Sequence, residues 1–368
     1  MPVLFILMLC AYIGGNVYIY IRGLQAIYHL SPIIKWIYSI VYWLCAISMI
    51  LVFIFRNTKI PISLSHILSN IGTGWLVFTL YMVLILLCFD LLRVFNISVR
   101  FSFLISLCVT FCTLAYGYYR YQHPKTQVIN IDINKSLTNG TSSLKVVAVS
   151  DVHLGLGTTK KQLQKYVQMI NAQHPDLIII SGDLIDNSIT PVRVQNMEEE
   201  LSALQAPLGI YMVPGNHEYI SRIDECLDFI STKTPIHFLR DSIVTLPNGI
   251  QIIGRDDRSN SMRMGTAELL KQTNSDYPII LLDHQPYELS SSIEGKADLL
   301  FYGHTHDGQV WPMNLLTKRL FDISYGYEKR DQTNIYVSSG LSLWGPPFRI
   351  GTNSEMVVFN LSFNNVNQ

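Results

Sequence analysis

The chain has 368 residues, of which 49% are hydrophobic and 15% charged, and 27 basic residues balance 27 acidic ones. A chain of this length can form two domains. Non-specific nucleic-acid binding needs a basic surface that displaces counterions from phosphates. Because the charges balance, no nucleic-acid partner is expected.

Residues 1–119 form the first region, which contains six basic residues and one acidic residue. It breaks into apolar segments of a length that can cross about 30 Å of hydrocarbon as a helix. The region is therefore predicted to be transmembrane, with four helices at about 3–21, 33–55, 75–92 and 101–119. Asp90 and Arg93 are expected to form an i,i+3 pair at the headgroup level rather than an intramembrane functional site.

After residue 119 the composition changes. Residues 120–143 are predicted to be a connector and a first strand, and residues 144–368 a separate domain. Strands and helical stretches alternate early in that domain, which indicates a largely parallel sheet, and shorter later strands indicate a second sheet layer. Helices are expected at 192–204 and 220–230, and a loop at Tyr325-Gly326-Tyr327.

Polar side chains of the types that bind metals follow five of the predicted strands. In chain order these are Asp151 and His153, Asp183 and Asp186, Asn216 and His217, His284, and finally His304 and His306. In open α/β folds, ligands bind at the carboxyl ends of strands. Carboxylate, amide and imidazole groups suit Mn, Fe or Zn.

Each of these short motifs is weak by itself. A single Asp-x-His or Asn-His is more often turn chemistry, and a buried histidine such as His284 is more often a hydrogen-bonded core residue. Five motifs in this order, each after a strand, are poorly explained by chance. We therefore interpret them as parts of one site.

The motifs D-x-H, G-D-x-x-D, G-N-H-E, a lone His and G-H-x-H resemble those of the calcineurin-like metallophosphoesterase superfamily, in its bacterial membrane-associated branch. The resemblance covers about residues 126–362. It implies an α/β fold, a two-sheet αββα metallophosphoesterase sandwich preceded here by the four transmembrane helices. A multi-pass protein of the bacterial cell membrane is the expected setting.

The resemblance also implies a dinuclear centre with two divalent metal ions, Mn²⁺ first and Fe or Zn as alternatives. One ion would be held by Asp151, His153 and His306, the other by Asn216, His284 and His304, and Asp183 would bridge them. The catalytic pair would be His217, facing the scissile group, and Asp186, which orients it.

The implied activity is hydrolysis of a phosphodiester or pyrophosphate bond by a hydroxide that the metals activate, with a lipid or lipid-linked substrate beside the membrane. Phosphoprotein phosphatases of this superfamily carry arginines where this chain has Asn187 and Pro214, which favours a diester over a monoester dianion. Arg349 or Arg255 could supply that charge instead. The alternatives are a UDP-2,3-diacylglucosamine-type pyrophosphatase of lipid A precursor processing, and a non-catalytic membrane sensor or scaffold.

Overall fold

The computed structural model describes residues 2–55 and 62–363. The chain divides into two compact units, the first made of Met1–Tyr119 with Gly345–Ile350 and the second of Arg120–Trp344 with Gly351–Gln368. Each unit is described by itself.

The first unit contains the helices that are long and apolar enough to cross a membrane; the described part of the chain has four of them. Their bounds are α1 (Pro2–Ala26), α2 (Pro32–Phe55), α3 (Ile62–Val94) and α4 (Ser102–Gln122). Helix α3 begins well before the predicted residue 75, because the helix continues through a less apolar stretch of Ser, His and Asn residues that a hydropathy pattern does not count.

The predicted i,i+3 pair of Asp90 and Arg93 is present in the first unit, but it is not the main contact of Asp90. The Asp90 carboxylate accepts hydrogen bonds from Arg22 and from the Tyr18 hydroxyl, both on α1. Arg93 lies farther away, with 4.0 Å between its nitrogen and an Asp90 oxygen. The main partner of Asp90 is therefore on another helix, which the spacing of charges along α3 could not reveal.

The second unit is built on two six-stranded sheets. The first has the order β1-β12-β2-β3-β4-β5 and the second the order β10-β11-β9-β8-β7-β6. Within them, β2 to β5 run parallel, as do β7, β8, β9 and β11. The strands are β1 (Lys125–Ile133), β2 (Ser143–Val149), β3 (Leu177–Ser181), β4 (Ile210–Val213), β5 (Ile236–Phe238), β6 (Ser242–Thr245), β7 (Gln251–Gly254), β8 (Ile279–Leu282), β9 (Leu299–Tyr302), β10 (Gly326–Arg330), β11 (Thr333–Val337) and β12 (Glu355–Phe363).

Alternating side chains place apolar residues on both faces of each sheet. On β2, Val146 and Ala148 face the core between the sheets, whereas Val147 and Val149 face a core under the helices. Leu281 and Leu300 of the second sheet join a third core with the helices on its outer face. The layers are therefore helix, sheet, sheet and helix, and the predicted αββα fold is confirmed.

The outer layers are short helices: α5 (Lys160–Asn171), α6 (Thr190–Val194), α7 (Glu198–Leu201), α8 (Asn216–Ile220), α9 (Ile223–Lys233), α10 (Thr266–Leu270), α11 (Leu289–Glu294) and α12 (Met313–Leu320). The expected helices at 192–204 and 220–230 are each broken in two. Asn196 (φ 48°) and Arg222 (φ 72°) lie at the breaks in left-handed backbone. The expected loop at Tyr325-Gly326-Tyr327 is wrong, since β10 begins at Gly326 and pairs with β11.

Candidate metal centre

The five sequence motifs all follow strands whose carboxyl ends meet. Loops after β2, β3 and β4 of the first sheet and after β8 and β9 of the second supply the side chains. Backbone hydrogen bonds tie neighbouring loops together: Asp151 N–H donates to Gly182 O (3.1 Å), and His153 N–H donates to Asp183 O (2.9 Å). The loops therefore form one connected edge.

The backbone at this edge is unusual. Non-glycine residues with left-handed φ cluster there, at 53° for Asp151, 48° for His153, 51° for Asp183, 73° for His304 and 50° for His306. Such conformations cost free energy and persist only where surrounding contacts impose them. All five of these residues belong to the clusters of candidate metal ligands.

The first cluster contains Asp151, His153 and His306, with ligand atoms that lie within 4.8 Å of one another. The Nε2 atoms of His153 and His306 are 3.1 Å apart, and His306 Nε2 is 3.3 Å from Asp151 Oδ1. Asp151 and His153 are buried. Two imidazole nitrogens and a carboxylate oxygen that converge in this way form a cation-binding arrangement.

The second cluster contains Asp183, His284 and His304. His284 Nε2 lies 3.1 Å from Asp183 Oδ2, and His304 Nδ1 lies 3.0 Å from the side-chain oxygen of Asn216. The same Asp183 oxygen is 3.8 Å from His153 Nε2 of the first cluster. Asp183 therefore lies between the two clusters.

Buried polar atoms that lack a hydrogen-bond partner indicate whether a cation would fit the site. His284 is fully buried, and its Nδ1 hydrogen-bonds the Ser181 carbonyl at 2.8 Å. In the neutral ring, that bond leaves the lone pair on Nε2, which faces Asp183 and makes no hydrogen bond among the described residues. A metal-binding histidine is commonly oriented in this way through its other nitrogen. The donors present therefore fit a metal ion.

The electrostatics agree with this fit. Burial lowers the pKa of His284, but the Asp183 carboxylate outweighs it and raises that pKa well above the usual value. Burial and the nearby His284 lower the pKa of His304 to about 4. Although burial opposes its ionisation, the histidines hold the pKa of Asp183 well below its usual range. The carboxylates of Asp183 and Asp151 create a negative potential that a cation would neutralise.

A third cluster adjoins the first and contains His153, Asp186 and His217. His217 Nδ1 lies 3.1 Å from Asp186 Oδ1, and the His217 backbone N–H donates to Asp183 Oδ1 at 2.9 Å. Burial lowers the pKa of His217, but Asp186 and Asp183 outweigh burial and raise it. With Nδ1 turned to Asp186, Nε2 is the nitrogen that can face a substrate.

Sequence reasoning missed Glu218. It is fully buried, and its carboxylate accepts hydrogen bonds from the backbone N–H groups of Gly215 (2.7 Å), Ile185 (2.8 Å) and Asp183 (3.0 Å). Glu218 is the third residue of α8, where an acidic side chain can reach back to the N–H before the helix. The position of Glu218, three residues after Gly215, is a sequence signal from which this contact could be predicted.

Arginine placement bears on the substrate. Arg255 is 3% exposed and pairs with Asp283 (3.1 Å) and Glu288 (2.7 Å). Arg263 also contacts Asp283, at 3.3 Å. Arg255 is therefore occupied by carboxylates of its own domain.

Comparison with known proteins gives the family. The profile of the calcineurin-like phosphoesterase family matches residues 144–308. An uncharacterized metallophosphoesterase of Campylobacter jejuni is 32% identical over 279 residues, which cover 73% of this chain and 72% of that protein. The chain belongs to the calcineurin-like metallophosphoesterase family and is a phosphoesterase-type hydrolase. Members of this family use a dinuclear metal centre.

More distant similarities add context. A transmembrane protein with metallophosphoesterase domain from Danio rerio is 30% identical over 268 residues, covering 68% of this chain and 61% of that protein, so the chain spans less than two thirds of it. Among solved structures, GAP50, the anchor in the inner membrane complex of Plasmodium, has a TM-score of 0.40 at 13% identity, covering 60% of this chain and 82% of that one. The apolar helices and the relatives named transmembrane proteins indicate a membrane protein.

Proposed function

We propose that the chain is a multi-pass membrane enzyme that hydrolyses a phosphodiester or pyrophosphate bond of a lipid or lipid-linked substrate. One divalent ion is assigned to Asp151, His153 and His306, and the other to Asn216, His284 and His304. Asp183 is assigned to both ions. Mn²⁺ is the proposed metal, because oxygen and imidazole ligands of this mixture suit it.

The observation that carries the proposal is the position of Asp183. Its Oδ2 is 3.1 Å from His284 Nε2 and 3.8 Å from His153 Nε2, so one carboxylate serves two separate clusters. When bound, two divalent ions polarise phosphoryl oxygens and lower the pKa of water. The remaining steps fall to the side chains of the protein.

We assign His217 the role of general acid. Asp186 holds its Nδ1 at 3.1 Å and favours the protonated ring, so Nε2–H can donate to the departing oxygen. His217 is only 7% exposed, so the surrounding atoms also restrict the ring. Loss of Asp186 would release the ring without removing a ligand of either ion.

Diester or pyrophosphate substrates are favoured over monoesters by charge. A monoester dianion gains most from a bidentate arginine. Asn187 and Pro214 supply no such group; of the two other arginines considered, Arg255 is paired with Asp283 and Glu288, and Arg349 is fully buried. The lipid part of the proposal is supported by the four apolar helices of the same chain.

The test uses the full-length protein in detergent, reloaded with Mn²⁺ after chelation. We expect turnover of aryl phosphodiesters that a chelator abolishes. The His217→Ala variant should retain metal and lose about 10²–10⁴-fold of its turnover. The loss should be larger for phenyl than for nitrophenyl esters, because the poorer leaving group needs the proton more.

Two further variants complete the test. Asp183→Asn should lose both metal, measured by mass spectrometry, and turnover. The control is His237→Ala, since His237 is exposed and stacks on Tyr211 with 5.1 Å between ring centroids, outside the three clusters. Full turnover of phenyl esters by His217→Ala would show that the acid is assigned wrongly.

A further inference from the structure

Helix α12 presents its apolar residues to the outside. Its eight residues read MNLLTKRL and none is buried. Exposed fractions are 39% for Met313, 57% for Leu315, 52% for Leu316 and 63% for Leu320. Trp311, just before the helix, is 47% exposed. Single exposed apolar residues are ordinary, but five within ten residues form a patch.

The helix is inverted relative to a normal surface helix. At 100° per residue, Asn314 and Thr317 lie on one side, and these two are half-buried. Leu316 and Leu320 share a second side with Met313, Leu315 lies about 100° farther round the helix from Leu316, and all four side chains are exposed. The helix therefore rests on its polar edge and turns its leucines outward, which is unfavourable in water and favourable at an apolar boundary.

The charge of α12 indicates which apolar boundary the helix would meet. Lys318 and Arg319 are both exposed, and α12 contains no acidic residue. Leucines beside basic residues on a short exposed helix are typical of segments that lie in the headgroup region of anionic membranes. A bilayer is tethered to this domain by the chain itself, since α4 ends at Gln122 and β1 begins at Lys125.

The helix is also connected to the metal centre at both ends. At its start, α12 packs against Gly308, which comes two residues after the candidate ligand His306. A Cβ added to Gly308 would lie 2.3 Å from the Asn314 nitrogen. At its end, the Phe321 ring lies 6.1 Å from the His304 ring and 5.2 Å from that of Tyr287, measured between centroids. A surface that binds α12 thus comes beside the site.

We propose that α12 is a membrane-docking helix that inserts its leucine face into an anionic lipid surface next to the catalytic site. Inserted helices of this kind sink about 5–10 Å below the headgroups. The inference deepens the proposed function, and only the purpose of docking depends on that function. Docking itself can be measured in an inactive protein.

The test is photo-crosslinking in the full-length protein reconstituted in nanodiscs. The probe variant is Leu316→p-benzoylphenylalanine, and the control is Ser275→p-benzoylphenylalanine. Ser275 is exposed and precedes β8, which runs parallel to β9 and has its carboxyl end at the metal centre. The control therefore lies at the opposite edge of the sheet. Discs contain phosphatidylcholine with or without phosphatidylglycerol.

We expect the Leu316 probe to form lipid adducts in several-fold higher yield than the Ser275 probe, and more with phosphatidylglycerol than without. A second set carries Lys318→Glu and Arg319→Glu and should lose the phosphatidylglycerol dependence. Unchanged unfolding temperatures confirm that these exposed substitutions leave the fold intact.

Three outcomes would overturn the inference: equal lipid adducts at both positions, adducts of the Leu316 probe with a second copy of the protein, or yields independent of phosphatidylglycerol. Aryl diester turnover is measured on the same samples. Because crosslinking needs no turnover, failure of docking and failure of the proposed enzymatic function are seen separately.

Discussion

Single residues behind the candidate metal ligands hold the loops that carry them. Glu218 is the strongest case, because one carboxylate receives three backbone N–H groups from the loops after β3 and β4. Those loops also carry Asp183 and Asn216. Disturbing Glu218 should therefore disturb both proposed metal positions without removing a ligand.

We predict that Glu218→Gln destabilises the protein and lowers its metal content. The amide offers only one acceptor oxygen, so at least one buried N–H loses its partner, at a cost of about 1–3 kcal/mol. The free energy of unfolding and the bound metal are the measurements. Glu225→Gln is the control, since that carboxylate is 40% exposed and pairs with Arg222 on the surface. Equal unfolding midpoints for the two variants would contradict the role given to Glu218.

The identity of the candidate ligands could be read from the sequence, because each follows an apolar strand and the residue types are chemically distinctive. The structure brings Asp151, His153, Asp183, Asn216, His284, His304 and His306 together, with His217 and Asp186 beside them. Contacts such as His284 to the Ser181 carbonyl and Arg22 to Asp90 could not be read, because they join segments far apart in the chain.

At the scale of elements, the end of β9 sets how closely the two sheets approach. A Cβ on Gly303 would lie 2.3 Å from Asp151 Oδ2 and 2.7 Å from the Ser150 side chain. No side chain fits between the end of this strand and the loop after β2. The glycine therefore permits both His304 and Asp151 to reach the centre.

We predict that Gly303→Ala lowers both bound metal and turnover, because the methyl group forces Asp151 away. Metal stoichiometry and aryl diester turnover are measured together. The matched substitution is Gly265→Ala, where an added Cβ meets no atom within 4 Å. Normal metal content in Gly303→Ala would mean that the two loops can separate without affecting the site.

Strands were easier to anticipate than helices. Runs such as Leu177–Ser181 are buried along their whole length, so their apolar pattern is unambiguous. The helical pattern of the sequence continues across Asn196 and Arg222, where the structure instead has left-handed backbone. The sequence does not predict helix α12, because its leucines do not face a core and the helix is only eight residues long.

At the scale of the molecule, the two sheets share one apolar interior. Phe359 of β12 is fully buried and meets Phe301 and Tyr336 of the other sheet, with 6.0 and 5.8 Å between ring centroids. Edge-to-face contacts of this kind add to the free energy of burial. The sandwich should therefore unfold as one unit.

We predict that Phe359→Ala lowers the free energy of unfolding by about 3–5 kcal/mol, as expected for a large buried aromatic side chain. Denaturant unfolding followed by tryptophan fluorescence measures it. Val128→Ala serves as the control, because Val128 is 56% exposed on β1 and its loss should cost little. A small effect of Phe359→Ala would indicate that the sheets are stabilised independently.

The place of β12 in the first sheet has a consequence for biosynthesis. It lies between β1 and β2, and partners such as Asn130 and Asn360 are 230 residues apart. At ordinary rates of translation, β1 leaves the ribosome on the order of ten to fifty seconds before its partner strand is made. Throughout that interval β1 lacks the strand with which it pairs. The first sheet can close only after nearly all of the domain has been synthesised, so a premature stop before Glu355 would leave β1 and β2 without the strand that joins them.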